Sequence, residues 1–221
     1  MYNLHKHEIF EIEVLEKLNN ARFLEPLVFG GGTMLRLCWG LPRYSVDLDF
    51  WFIKKINQKR YFSKLKEYLS SLYELTDSNI KFYSLLFEIR TANYPNRLKI
   101  EIRKETEPCD FEQKIAFSPY ATRQVALRVH TLGQTLRNKI AAALDRKDIR
   151  DCFDIEFLLR QGLSLEADVN QLKSLKELIL SFRDKDYKVT LGSLLDRKER
   201  DYYSANKFTY LLAKINGQLS K

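Results

Sequence analysis

Three consecutive glycines, Gly30-Gly31-Gly32, stand between the apolar run Leu27-Val28-Phe29 and the segment Met34-Leu35-Arg36-Leu37. The first run is short and continuously apolar, which reads as a buried strand. Met34, Leu35 and Leu37 read as the apolar part of a short helix, and Leu41-Pro42-Arg43-Tyr44 must break it because proline lacks an N–H and restricts the residue before it. Strand, glycine turn, helix and loop therefore follow one another. Glycines at such a junction let the backbone approach a phosphate closely, with free N–H groups at the helix start to hold it, and Thr33 could add a hydroxyl. The run is not a Walker A loop, nor is it GxGxxG followed by a ribose-binding acid. For the glycines alone, a tight turn needing positive φ is an equally good reading.

From Val46 to Ile53 the sequence VDLDFWFI alternates, which puts Asp47 and Asp49 on one face of a strand and Val46, Leu48 and Phe50 on the other. Two carboxylates on one face repel unless a cation sits between them, and Mg²⁺ is the expected cation. Asp-x-Asp on an exposed strand face also arises by chance; the glycine turn upstream makes the combination more specific. A two-metal site calls for a third carboxylate, and Glu101 in Leu98-Lys99-Ile100-Glu101-Ile102 is the candidate, with Glu88 a weaker substitute. The plainer reading of Glu101 is a surface strand residue facing Lys or Arg.

Helical spacing recurs over residues 6 to 21, through Ile9, Ile12, Leu15 and Leu18, and over residues 58 to 73. Strand-like runs at 82 to 92 and 97 to 103 are joined by the turn-forming Asn93-Tyr94-Pro95-Asn96. After Ser118-Pro119 the character changes to helix, with Leu136, Ile140 and Leu144 on one stripe, Ile149, Phe153 and Phe157 on another, and Gly162 as the stop. The expected organisation is an α/β (α+β) core over residues 1–118, a mixed sheet flanked by helices, followed by a helical C-terminal subdomain over 119–221 that completes the site.

No apolar run approaches the roughly 20 residues needed to cross a bilayer, and the N-terminus has no signal-peptide core, so a cytoplasmic location is expected. Three cysteines without a CxxC pair indicate neither a disulfide framework nor a thiolate zinc site. His5 and His7 read as members of a solvated helix face, and His130 as a structural or capping residue. A net charge of +8 suits a polyanionic partner such as nucleic acid, though many basic enzymes never touch one.

In the helical half, Asp154 lies between Phe153 and Ile155. A carboxylate with such neighbours is costly to bury unpaired, so Lys139 or Arg150 should be its partner. Read plainly this is a helix–helix ion pair. Read functionally, Lys139 reaches nucleotide phosphates and Asp154 orients it.

Phe29-Gly30-Gly31-Gly32-Thr33-Met34-Leu35 together with Arg43-Tyr44-Ser45-Val46-Asp47-Leu48-Asp49-Phe50 resembles the signature of AbiEii-type toxins of the nucleotidyltransferase superfamily, and Lys139, Arg146, Arg150-Asp151 and Asp154-Ile155 resemble that family's helical motifs. The likeness runs from about residue 25 to about residue 162. It implies a nucleotidyltransferase core, a toxin usually encoded beside a winged-helix antitoxin and, for some members, transfer of nucleotides to the 3′ end of tRNA. It also implies that Gly31, Gly32, Thr33, Ser45 and Arg43 serve the NTP, that Asp47 and Asp49 bind Mg²⁺, and that Lys139 and Asp154 complete the catalytic set; strand alternation adds Glu101 to the metal ligands. Gly-Gly-Thr replaces the superfamily's usual Gly-Ser, and Glu101 rests on strand reasoning alone. Arg36, Arg43, Arg123, Arg128 and Lys147 are candidates to track an RNA backbone. The alternatives are a nucleotidyltransferase or kinase acting on a small molecule or on a protein, and a catalytically inactive binding module of the same fold.

Overall fold

The computed structural model describes residues 3–220, which form two compact units. The first comprises the chain up to Gly40 and Tyr44–His130; the second comprises Leu41–Arg43 and the chain from Thr131 onward. In the first unit the order is α1 (Leu4–Asn20), β1 (Leu27–Gly30), α2 (Gly31–Trp39), β2 (Asp47–Phe52), α3 (Gln58–Leu72), β3 (Glu74–Ile80), β4 (Ser84–Arg90), β5 (Leu98–Arg103), β6 (Phe111–Ala116) and β7 (Val125–His130). The strands make one seven-stranded mixed sheet in the order β3-β4-β5-β2-β1-β7-β6. β2 runs antiparallel to β1 and parallel to β5, and β1 runs parallel to β7.

Cross-strand register explains why the sheet has two chemically different faces. Leu48 and Phe50 stand opposite Ile100 and Ile102 of β5, which stand in turn opposite Phe87 and Leu85 of β4. All six are buried, and α3 lays Phe62 against Phe87 with ring centroids 4.8 Å apart. The intervening residues, Asp47, Asp49 and Trp51 on β2 and Lys99, Glu101 and Arg103 on β5, necessarily share the other face.

Three strands lie outside the expected set. β3 reads Glu-Leu-Thr-Asp-Ser-Asn-Ile and is mostly exposed, because it is an edge strand whose pairing to β4 does not require an apolar run. β6 forms the opposite edge, and β7 pairs between it and β1. The helical character expected after Ser118-Pro119 therefore begins only with α4; the first unit extends through β7 to His130.

α1 departs from the expected solvated face. His7 is buried, because positions 7, 10, 11 and 14 fall on one stripe of the helix and Phe10, Glu11 and Val14 are buried with it. The His7 ring contacts the carbonyl of Val46 through Nε2 at 3.0 Å. His5 is exposed and stacks on Tyr120 at 4.0 Å.

The second unit is helical: α4 (Leu132–Arg146), α5 (Ile149–Arg160), α6 (Val169–Ser181), α7 (Arg197–Asn206) and α8 (Thr209–Leu219). Thr131 caps α4 and Asp148 caps α5 through their side chains, and Gly162, with φ +93°, follows the end of α5. No helix among the described residues is long and apolar enough to cross a membrane.

His130 ends β7 with its ring 4.8 Å from that of Trp51, and neither ring nitrogen has a hydrogen-bond partner among the described residues. Burial pushes its pKa down to about 4. An unfolded-chain histidine protonates near pH 6.5. The folded state is therefore fully favoured above that pH and loses stability as the pH falls from about 6.5 towards 4, by roughly 3 kcal/mol over the whole interval. Urea unfolding at a series of pH values should show a shallower acid-side decline for His130→Leu than for the wild type.

Candidate active site

The strand–glycine–helix junction is built around the second acid of β2. Gly31 has φ +75°, a conformation L side chains rarely adopt, and a Cβ there would collide with the carboxylate of Asp49. Gly30 stands opposite Asp49 in the β1–β2 pairing, and a Cβ on it would meet the Trp51 ring at 2.6 Å and His130 Nδ1 at 2.7 Å. Gly32 lies buried in the first turn of α2. Thr33 is fully buried, and its hydroxyl donates to the backbone carbonyl of Asp47 at 2.6 Å. The helix start is thus tied to one acid and closely packed on the other. Ser45 lies just before β2 and is partly exposed.

On the charged face Asp47 stands opposite Lys99, and Asp49 opposite Glu101. Glu101 is the acidic residue that strand alternation pointed to, and it faces Lys99 and Arg103, with oxygen-to-nitrogen distances of 3.5 and 3.6 Å. Burial alone would raise its pKa, but the Ser84 hydroxyl, Arg103 and Lys99 outweigh this and hold the carboxyl below the usual carboxylate range. Glu88 is engaged elsewhere, accepting from Thr76 at 2.7 Å and from Arg97 at 2.8 Å.

Sequence reasoning passed over Lys99. Its Nζ lies 3.1 Å from Asp47 Oδ2 and 3.5 Å from Glu101 Oε2. Burial works against its charge, yet Asp47, Glu101 and Asp49 together raise its pKa. The signal was present, because alternation in Leu98-Lys99-Ile100-Glu101-Ile102 puts Lys99 and Glu101 on one face.

Among the described residues no group of three or more His, Cys, Asp or Glu side chains is arranged to hold a metal ion. The donor chemistry still fits a hard divalent cation: Asp47, Asp49 and Glu101 offer carboxylate oxygens from neighbouring strands, and the Lys99 ammonium already stands between two of them as a tethered cation.

Arg43, Lys139 and Asp154 come together within the second unit. Asp154 is fully buried and receives both Nε and Nη2 of Arg43 at 2.6 Å, and Lys139 Nζ at 2.6 Å. Lys139 also reaches Asp151 at 3.0 Å, and Arg146 forms two bonds of 2.6 Å to the same carboxylate. Burial would raise the Asp154 pKa, but Arg43 and Lys139 outweigh it and keep the carboxyl ionised. Of the two cations expected to partner Asp154, Lys139 does so, whereas Arg150 turns back to its helix cap Asp148 at 2.9 Å. Arg43, 111 residues away along the chain, is a partner no local pattern could disclose. Several arginines considered for RNA have protein partners: Arg36 pairs with Glu8, Arg43 with Asp154 and Arg123 with Glu16, and Arg128 donates to the Glu25 carbonyl.

The architecture is shared with two crystal structures from Helicobacter pylori. One is of a candidate nucleotidyltransferase, 24% identical with TM-score 0.54, and the match covers 95% of this chain and 96% of that one. The other is of JHP933, 23% identical with TM-score 0.53, covering 92% of this chain and 94% of that one. No curated protein sequence matches the chain. The mixed sheet and helices are thus those of a nucleotidyltransferase fold. The family model described as "Nucleotidyl transferase AbiEii toxin, Type IV TA system" matches residues 13–214, so the chain belongs to the AbiEii nucleotidyltransferase toxin family of type IV toxin–antitoxin systems. Membership makes it a nucleotidyltransferase and implies an NTP substrate and an antitoxin partner.

Removing the carboxylate in Asp154→Ala leaves Arg43 and Lys139 buried beside an apolar side chain, so unfolding free energy should drop by about 3–5 kcal/mol, read from denaturant melts. Gly31→Ala should cost about 1–3 kcal/mol, because the new methyl is strained in φ and meets the Asp49 carboxylate. The Gly31→Ala/Asp49→Ala double mutant should lose less than the sum of its single mutants, since shortening Asp49 removes part of that collision.

Proposed function

We propose that the chain transfers a nucleoside monophosphate from an NTP to an acceptor hydroxyl at the 3′ end of tRNA, in a Mg²⁺-dependent reaction in the cytoplasm, and that a winged-helix antitoxin opposes it. The observation that carries this reading is the in-register face of Asp47 and Asp49 against Lys99 and Glu101, set directly beside the Gly31 turn. Asp47 and Asp49, with Glu101, would hold the divalent cation. Bound there, that cation would neutralise charge on the triphosphate and lower the pKa of the acceptor hydroxyl.

The protein's own groups have separate tasks in this scheme. The first-turn N–H groups of α2, around Gly31, Gly32 and Thr33, receive phosphate oxygens. Thr33 fixes the strand that carries Asp47 through its bond to the Asp47 carbonyl. Ser45 and Arg43 enter as nucleotide-serving residues on the family resemblance, as do Lys139 and Asp154 as members of the catalytic set. The acceptor oxygen bonds to the α-phosphorus as the bond to the β-phosphate oxygen breaks; pyrophosphate departs with the electron pair, and the hydroxyl proton passes to solvent. The net charge of +8 favours approach to a polyanionic acceptor.

Incubation with total tRNA, Mg²⁺ and each α-³²P-labelled NTP should label tRNA, and Asp47→Ala should reduce incorporation by at least about a hundredfold, as loss of a principal electrostatic group does. Wild-type labelling no greater than that of Asp47→Ala would sink the reading. Transfer of γ-label, to RNA or protein, would indicate a kinase instead. Growth inhibition unchanged by Asp47→Ala would indicate a binding module.

A further inference from the structure

Lys99 is placed so that it competes with the cation this site is built to take. Its backbone is paired opposite Asp47 on the parallel neighbour strand, and its side chain rises from the same face as both Asp47 and Glu101. The ammonium reaches Asp47 Oδ2 at 3.1 Å and Glu101 Oε2 at 3.5 Å, and Asp49 adds to the field around it. Without a cation these carboxylates would repel one another, so Lys99 holds the face together when no metal is bound.

The same contacts make it an obstacle. A divalent ion that takes the Asp47 and Glu101 oxygens would lie within a few ångströms of a like charge, which strongly disfavours both occupying the site. Lys99 has another acceptor within its neighbourhood: Glu88 stands directly opposite it on β4, on the same face.

We propose that Lys99 is a built-in counter-ion of the carboxylate face, satisfying Asp47 and Glu101 in the metal-free protein and giving them up when a divalent cation binds. The inference rests on the reading of that face as a cation site. Lys99 is a positioning residue in this account, since it acts through the carboxylates. Its charge sets how tightly the site takes metal, and it keeps the acidic face folded and closed to adventitious cations until metal arrives.

Mn²⁺ is the probe, titrated without nucleotide by calorimetry and by water-proton relaxation against wild type, Lys99→Met, Lys99→Arg and Asp47→Asn. Lys99→Met should bind Mn²⁺ about tenfold more tightly than wild type, because it loses the competing charge while keeping the apolar stem. Lys99→Arg should stay near wild type, and Asp47→Asn should lose binding. Thermal melts supply an independent readout: Lys99→Met should be less stable than wild type in chelator and gain more from Mn²⁺. Equal or weaker Mn²⁺ affinity in Lys99→Met, with binding lost in Asp47→Asn, overturns this inference and leaves the cation site standing. No Mn²⁺ binding by either wild type or Lys99→Met overturns both.

Discussion

Alternation along β2 is the constraint on which the rest of the first unit depends. A strand presents successive side chains to opposite faces, so one six-residue segment must serve both a core and a polar surface. Leu48, Phe50 and Phe52 are buried, which fixes the register against β5 and β1; a slip of one residue would drive Asp47 and Asp49 into the core. The energetic penalty for burying those acids therefore protects the register, and the register in turn fixes which residues meet on the charged face. Asp47 facing Lys99 and Asp49 facing Glu101 are consequences of packing on the far side of the sheet. Parallel pairing sharpens this, since β2 and β5 then present their charged residues in the same order.

The second unit solves a different problem, because α5 buries three carboxylates, Asp151, Asp154 and Glu156, among side chains that are otherwise apolar wherever the helix is buried. Each is given its own cation or donors. Asp151 takes Lys139 and Arg146; Asp154 takes Lys139 and Arg43; Glu156 takes Arg160, the Tyr203 hydroxyl and the backbone N–H of Leu211. Lys139 links two of the three and is itself almost wholly buried. Buried ion pairs of this kind contribute little net stability but are costly to break, so they act chiefly to select one packing of α4, α5 and α8. The loop residue Arg43 enters the same network with a two-pronged grip on Asp154, which anchors the segment after α2 within the helical unit.

How much of this was legible in the sequence follows from the range of the interactions. The glycine junction, the Asp47/Asp49 face and the apolar stripes of α4 and α5 are set by neighbours a few residues apart, and periodicity finds them. Glu101 was reachable by the same alternation, and Lys99 lay two residues away on the same face. β3 and β6 were not legible, because an edge strand need not carry an apolar run. His7 illustrates the opposite failure, a polar residue on the buried stripe of α1, where the Val46 carbonyl and Glu11 help explain its tolerance. The Arg43–Asp154 pair lies beyond any local pattern, since six strands, β2 to β7, intervene between the two residues in the sequence.

The replacement of the superfamily's Gly-Ser by Gly-Gly-Thr acquires a physical account from these contacts. A hydroxyl at position 33 is buried and donates to the Asp47 carbonyl, so its part is to tie the first turn of α2 to the strand carrying the acids. Serine could make that bond, but threonine adds a methyl group to a fully buried position and has fewer χ1 choices, so less rotamer freedom is lost in fixing the hydroxyl. The residue before it is then free to be glycine, and the one before that must be, because Gly31 sits at positive φ against the Asp49 carboxylate. The turn is therefore shaped by both acids at once: Asp47 is held through its backbone and Asp49 through its side-chain volume. A substitution at Gly31 or Thr33 would therefore disturb the carboxylates as well as the first turn of α2.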